Sequence, residues 1–338
     1  MEKEITMKKE VTEGIDRQIA NIREKITGKE FDNIYFIGCG GALAYMEPSK
    51  FAVDMDAKKL LAYSRTAAEL MAINPKSLGE RSIAIVSSYG GNMLEAVNAL
   101  RWAKEKGAFT IGTTYNPDSV MAKESDAPMV FEFADDYSNH PYTCQFSAML
   151  LITYTILDVL EGNRKIDRLP QNLYNLEHVY EKAIELYSKK VPEFVSRFKD
   201  ADIVYNMGSG VNYINAYIFA TCLLLEMQWI NASPINAAEF FHGALEIVDK
   251  DSNFIMLMGL GETRAIDERA LNFLERFTAG TFVIDSKDFE MDGWIDEDFQ
   301  SFMAQITTNR ILRMFVTALA EARHHSLSRR RYYCRMEY

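Results

Sequence analysis

With 338 residues, 48% of them apolar and 25% charged, the chain has the make-up of an ordinary globular protein, and its length suggests about two domains. Its formal charge of −11 argues against a general nucleic-acid surface, because such surfaces neutralise phosphates with clustered Lys and Arg. An anionic small molecule then has to be met locally, by backbone N–H groups and helix N-termini.

Residues 1–30 are charged throughout, with no apolar signal core, and read as a helical segment of a cytoplasmic protein. Next, the apolar strand 34–37 runs into Gly38-Cys39-Gly40-Gly41 and a helix from Ala42. A strand at 60–63, a helix from Thr66, a strand at 83–86, a helix over 92–106 and a strand at 109–113 follow. These elements make a first domain over 31–165. Its most apolar stretch, 148–160, is too short to span a bilayer, carries Asp158 and is followed by Glu161, so it predicts a buried helix and no membrane partner. The connector 141–199 is helical, first over 142–160 and then as an amphipathic stretch from Leu169 broken near Pro192, with 166–200 as the linker.

Near Asp202 the plan restarts. The strand 203–207 runs into Gly208-Ser209-Gly210 and a helix to Met227; the strand 254–258, the helix 262–277 and the strand 281–284 complete a second domain over 201–322, ahead of a tail at 323–338. Strands alternating with helices of this length predict an α/β protein with two doubly wound parallel sheets of flavodoxin-like three-layer type, joined and ended by helical segments. Four scattered cysteines, Cys39, Cys144, Cys222 and Cys334, show no CxxC spacing and read as reduced thiols.

The GxGG turn lets an oxyanion approach backbone N–H groups, through Gly40 and Gly41, but it is not the dinucleotide fingerprint, since Leu43 stands where GxGxxG needs glycine. Tight packing explains such a turn about as well. A stronger signal is SSYGGN at 87–92, after one strand and opening the next helix: Ser87, Ser88, Tyr89 and Asn92 form a plausible phosphate cradle, against the plainer reading of helix capping. Gly208-Ser209-Gly210 and the turn at 259–263 occupy the corresponding places of the second half with less polar content, and read as a structural duplicate.

The chemistry is expected elsewhere. Glu226 sits inside an apolar helix-like run, where an unpaired carboxylate is costly, and His242 follows sixteen positions later, with Glu239 three residues before it on the same face of any helix. A carboxyl and an imidazole can both be tuned for proton transfer, although a lone histidine is more often structural. His140, His178, His324 and His325 show no HxxxH or HExxH spacing, so no metal site is expected. The basic tail Arg329-Arg330-Arg331-Tyr332-Tyr333, ending in Met336-Glu337-Tyr338, predicts a segment packed on the body rather than a solvated end.

Taken together, the GxGG turn, the SSYGGN loop, the E-x15-H-G spacing in the run from Glu226 to EFFHGALEIV, and the RRYY…EY tail resemble the sugar isomerase (SIS) family, over nearly the whole chain. Within it the chain resembles the bacterial fructosamine 6-phosphate and fructoselysine 6-phosphate deglycases and, more distantly, the isomerase half of glucosamine-6-phosphate synthase. That resemblance implies a deglycase that cleaves a 6-phosphorylated Amadori compound to glucose 6-phosphate and a free amine or amino acid, without a cofactor. Glu226 matches the glutamate that moves a proton between C1 and C2, and His242 the histidine associated with ring opening. Ser87, Ser88 and Asn92 match the sugar-phosphate loop, where Tyr89 and Asn92 replace the usual serine and threonine. Gly41 and Ala42 replace hydroxyl residues of the synthase, so the first turn contributes backbone only. Glu239, Arg331 and Tyr332 are expected near the substrate, with the tail and residues 135–142 walling the amine pocket. Family members are dimers in which the histidine can come from the partner, so a homodimer or dimer of dimers with the site at the subunit interface is implied. No lysine follows Lys287 and no glutaminase domain precedes the isomerase-like part, which disfavours aminosugar synthesis. An aldose–ketose isomerase and a non-catalytic phosphosugar-binding regulator are the alternatives.

Overall fold

The structure, a computed structural model, describes residues 2–132, 139–333, 335 and 336, with side chains from Thr12 onward. Cys334, Glu337, Tyr338 and residues 135–138 of the expected amine-pocket wall lie outside the described residues. The chain divides into two compact units, Met1–Tyr174 and Asn175–Tyr338.

In the first unit, β1 (Asn33–Gly38), β2 (Leu61–Thr66), β3 (Ser82–Ser87), β4 (Phe109–Thr114) and β5 (Ala127–Val130) form one parallel sheet in the order β2-β1-β3-β4-β5. β1 and β3 are buried at every residue, which is why both read as unbroken apolar runs: a parallel sheet covered on both faces needs no polar side. Among the helices, α4 (Ala67–Ile73) and α5 (Leu94–Glu105) pack on the sheet through Leu70, Ala99 and Leu100, against Tyr35, Ile37, Ala84 and Val86. The helix over Gln145–Glu161, α7, is buried along nearly its whole length. Its Asp158 pairs with Arg23 of α1 (Glu2–Ile26) at 2.6 Å, which offsets the desolvation of a carboxylate in an otherwise apolar helix.

The second unit repeats the plan with one strand fewer. Here β6 (Ile203–Gly208), β7 (Asn231–Asn236), β8 (Phe254–Met258) and β9 (Phe282–Asp285) form a parallel sheet in the order β7-β6-β8-β9. One side is filled by Met207, Phe240, Met256, Met258 and Leu274, the last from α11 (Arg264–Phe277). Phe194 of α9 (Val191–Phe198) stacks on Phe315 of α12 (Gln300–Ala322) with 4.6 Å between ring centroids, and Phe282 of β9 meets both edge-on. The break expected near Pro192 is present, with the proline in the first turn of α9, where its missing N–H is harmless.

The helix expected to run to Met227 departs from expectation. A 3₁₀ turn (Gly210–Asn212) leads into α10 (Tyr213–Tyr217), and from Ile218 to Gln228 the coil widens to a π-helix that ends at Trp229 in the left-handed conformation, φ 55°. Residues 218–225 are apolar almost all round, so no stripe of 3.6-residue period fixes the helix gauge. Among the described residues no helix is long and apolar enough to cross a membrane.

Candidate active site

The strand order β2-β1-β3 reverses direction between β1 and β3, the place where doubly wound sheets leave a crevice at the carboxyl ends of their strands. Both glycine-rich segments of the first unit end there. Gly40 caps α2 (Gly41–Ala44) with φ 52°, and Gly41 opens that helix. Cys39 Sγ lies 3.5 Å from a carboxylate oxygen of Glu95 in the first turn of α5, so the GxGG turn and the start of α5 meet. Burial, with Glu95 added, pushes the Cys39 thiol up.

The hydroxyls of the second loop are partly committed. Ser87 is fully buried and accepts a hydrogen bond from Gln145 Nε2 at 3.1 Å. Ser88, also buried, accepts from the Met93 N–H at 3.4 Å. Tyr89 is exposed, its ring against Tyr115 and Phe131. Asn92 turns its carbonyl oxygen to the Val120 N–H, 3.0 Å away. The N-cap position of α5 falls on Met93, whose side chain offers no oxygen, and among the described residues this helix starts without a side-chain cap. Gly91 makes this loop possible: its φ is +75°, and a Cβ there would sit 2.1 Å from Ser119 Oγ.

The equivalent place in the second unit is filled from within. The Gly259 N–H donates to Asp267 Oδ2 at 3.0 Å, and Arg264 donates to the Gly259 carbonyl at 2.9 Å while holding Asp285 with both guanidinium ends at 2.8 Å. Gly210, φ +52°, would drive a Cβ to 2.3 Å from Thr263 Oγ1. Burial pushes the Asp267 carboxyl up to about 6, against the lowering pull of Ser209, the Gly259 N–H and Arg264.

Glu226 occupies the last turn of the π-helix, its side chain one-third exposed. It does not meet bulk water freely. Arg330 Nη2 lies 2.9 Å from Glu226 Oε1, with only 17% of the arginine side chain accessible. Burial raises the Glu226 carboxyl above the usual carboxylate range, and the guanidinium draws it back part of the way. One turn earlier, burial and the Glu226 charge push the Cys222 thiol up to about 12. The neighbouring arginines go the other way: Arg329 and Arg331 lie over the Trp229 ring at 5.0 and 3.9 Å. His325 meets the same ring edge-on at 4.4 Å.

The tail therefore packs through Arg329, Arg330 and Arg331, while Tyr332 is 64% exposed and Tyr333 45%. Of the expected tail residues Arg331 is on the aromatic brace and Tyr332 is outside it, while Arg330, which the sequence reading passed over, touches Glu226. Glu239 and His242 bracket a 3₁₀ turn (Phe240–His242) rather than an α-helix, anchored by buried Phe240; such turns still align positions three apart. Both are exposed in their own chain. Among the described residues, Cys39, Cys144 and Cys222 form no disulfide.

No family model matches the chain. It is 36% identical to the fructosamine deglycase of Bacillus subtilis over 329 residues, covering 97% of this chain and 99% of that protein. The chain belongs to the SIS (sugar isomerase) family. A second relative, the fructoselysine 6-phosphate deglycase of Escherichia coli, is 25% identical over 92% of this SIS chain and 88% of its own length. The crystal structure of a Bacillus subtilis protein described as a phosphosugar isomerase matches with a TM-score of 0.93 at 36% identity, covering 98% of this chain and 100% of that one. Within the SIS family the chain is an enzyme of deglycase type.

Proposed function

We propose that the chain cleaves a 6-phosphorylated Amadori compound, a fructosamine 6-phosphate such as fructoselysine 6-phosphate, to glucose 6-phosphate and a free amine or amino acid. The observation that carries the reading is Glu226, a carboxyl raised by burial yet held by one arginine, which suits a group that must take up and return a proton. The names of the relatives support the substrate class. The uncapped start of α5 supports a phosphate on residues 87–92, with backbone N–H groups of Gly40 and Gly41 beside it.

His242 assists opening of the ring hemiketal. Glu226 removes a proton from C1, the electron pair closes the C1–C2 enolamine, and the C2 carbonyl oxygen takes a proton from water to become a hydroxyl. The same carboxyl returns a proton to C2, leaving an imine at C1. Water adds there, the C1–N bond breaks, and the amine leaves with glucose 6-phosphate. Glu239, Arg331 and Tyr332 lie near the substrate in this reading, with the tail covering the site.

The enzyme works in the cytoplasm as a homodimer or dimer of dimers. The exposure of His242 in its own chain supports a site that the histidine enters from the partner. Subunit hybrids of Glu226→Gln with His242→Ala that regain turnover would place the two residues in different chains of one site, and hybrids as dead as their parents would place them in one.

The decisive assay offers fructoselysine 6-phosphate, other fructosamine 6-phosphates and fructose 6-phosphate, and follows glucose 6-phosphate and free amine. Glu226→Gln should bind substrate and lose about 10²–10⁴-fold in turnover. Near-normal turnover in that variant removes Glu226 from the role, and release without amine turns the reading to an aldose–ketose isomerase.

A further inference from the structure

Arg330 is held independently of Glu226. Its Nη1 donates to the Leu327 carbonyl at 2.6 Å and to the Arg329 carbonyl at 3.0 Å, while Nη2 reaches Glu226. The turn that carries it is closed by the Arg329 N–H on the Ser326 carbonyl and by Ser326 Oγ against Ser328 Oγ at 2.9 Å. On either side, Arg329 and Arg331 brace Trp229, the residue that ends the π-helix. An arginine fixed by its own backbone turn presents a guanidinium at a set place whether or not the carboxylate is charged.

We infer that Arg330 is the positioning residue of the proton-transfer carboxyl: locked in the tail turn, it keeps Glu226 ionised and aimed at the start of each turnover. The inference rests on the shuttle role proposed for Glu226. No other described charge is paired with this carboxylate. Cys222 and the phenols of Tyr213 and Tyr217 face it or its helix as neutral groups raised by burial. From α12, Arg313 lies against Met227 Sδ at 3.9 Å, and Arg323, just past the end of that helix, donates to the Gln228 carbonyl at 3.4 Å. His325 lies against Trp229 and is lowered by its own burial and by Arg329, Arg323 and Arg331. The adjoining strand β7, NASPIN, carries no ionisable side chain. Removing Arg330 thus leaves the carboxyl with its burial and without its counter-charge. The consequence is a weaker acid, protonated at a pH where the enzyme needs it as a base.

The test is the pH profile of kcat for amine release in Arg330→Gln and Arg330→Lys. In Arg330→Gln the acid limb should move up by about one pH unit, so that turnover below the limb falls about tenfold further than above it, with KM changed little. Arg330→Lys should hold the limb near its original place. A limb unmoved in Arg330→Gln, with the same loss at every pH, overturns the inference and leaves Arg330 a docking contact; faster turnover overturns it in favour of a tail that blocks the carboxyl. Infrared titration of the Glu226 carboxyl, taken as the difference from Glu226→Gln, reads the same shift without substrate. Should the wild-type enzyme release no amine, the deglycase reading falls, and this titration still decides on Arg330: an unchanged midpoint in Arg330→Gln overturns the inference.

Discussion

Where the first sheet reverses strand order, Ser87 is spent on Gln145 and Asn92 on Val120, and the start of α5 is left without a side-chain cap. At the same place in the second sheet, Asp267 takes the Gly259 N–H and Arg264 takes its carbonyl. The two units share a topology, and one offers backbone donors while the other satisfies them with its own carboxylate. A duplicated fold can thus keep its switch point in one copy and close it in the other, and the copy with the closed switch point carries Glu226 on a widened helix instead.

The largest test of that contrast pairs Gly91→Ala with Gly210→Ala. Both glycines have positive φ and both would force a Cβ into a side chain, Ser119 in one and Thr263 in the other. Each variant should lose about 1–3 kcal/mol of stability. Only Gly91→Ala should also raise KM for the phosphorylated substrate, by about tenfold, the equivalent of 1.4 kcal/mol. Equal rises of KM in both would break the contrast.

A smaller effect is expected from Asp267→Asn. The folded carboxyl, at about 6, stands above its ordinary value of 3.8, so the folded state is penalised as pH rises through that window and uniformly above it. The gap bounds the gain from the amide at about 3 kcal/mol, and the lost charge–dipole contact with Gly259 reduces it. Urea midpoints should therefore coincide near about pH 4 and separate in favour of Asp267→Asn by about pH 7. A variant less stable at both would mean that the plug needs its charge.

Much of this architecture is legible in the residues. Continuous apolar strands followed by glycine turns give β1, β3, β6 and β8, and the repeat of that pattern gives two sheets. β5 and β7 are not legible, because each carries a proline, Pro128 and Pro234, and lies at a sheet edge where an N–H can be spared. The π-helix escapes a reading tuned to 3.6 residues per turn. Glu226 stands out as a carboxylate in an apolar run, but nothing in three successive arginines says which one reaches it. The alternation that sends Arg329 and Arg331 to Trp229 and Arg330 to Glu226 exists only once the turn closed by the Arg329 N–H on the Ser326 carbonyl has set the chain beside that ring.

The same three arginines bear on handling the enzyme. Arg329 and Arg331 are exposed, so trypsin-like contaminants find a ready cleavage target in the last ten residues. A preparation nicked after Arg329 keeps both sheets and its band on a gel, yet has shed the guanidinium beside Glu226. Intact mass, rather than purity by electrophoresis, is the measure of whether a stored sample is whole.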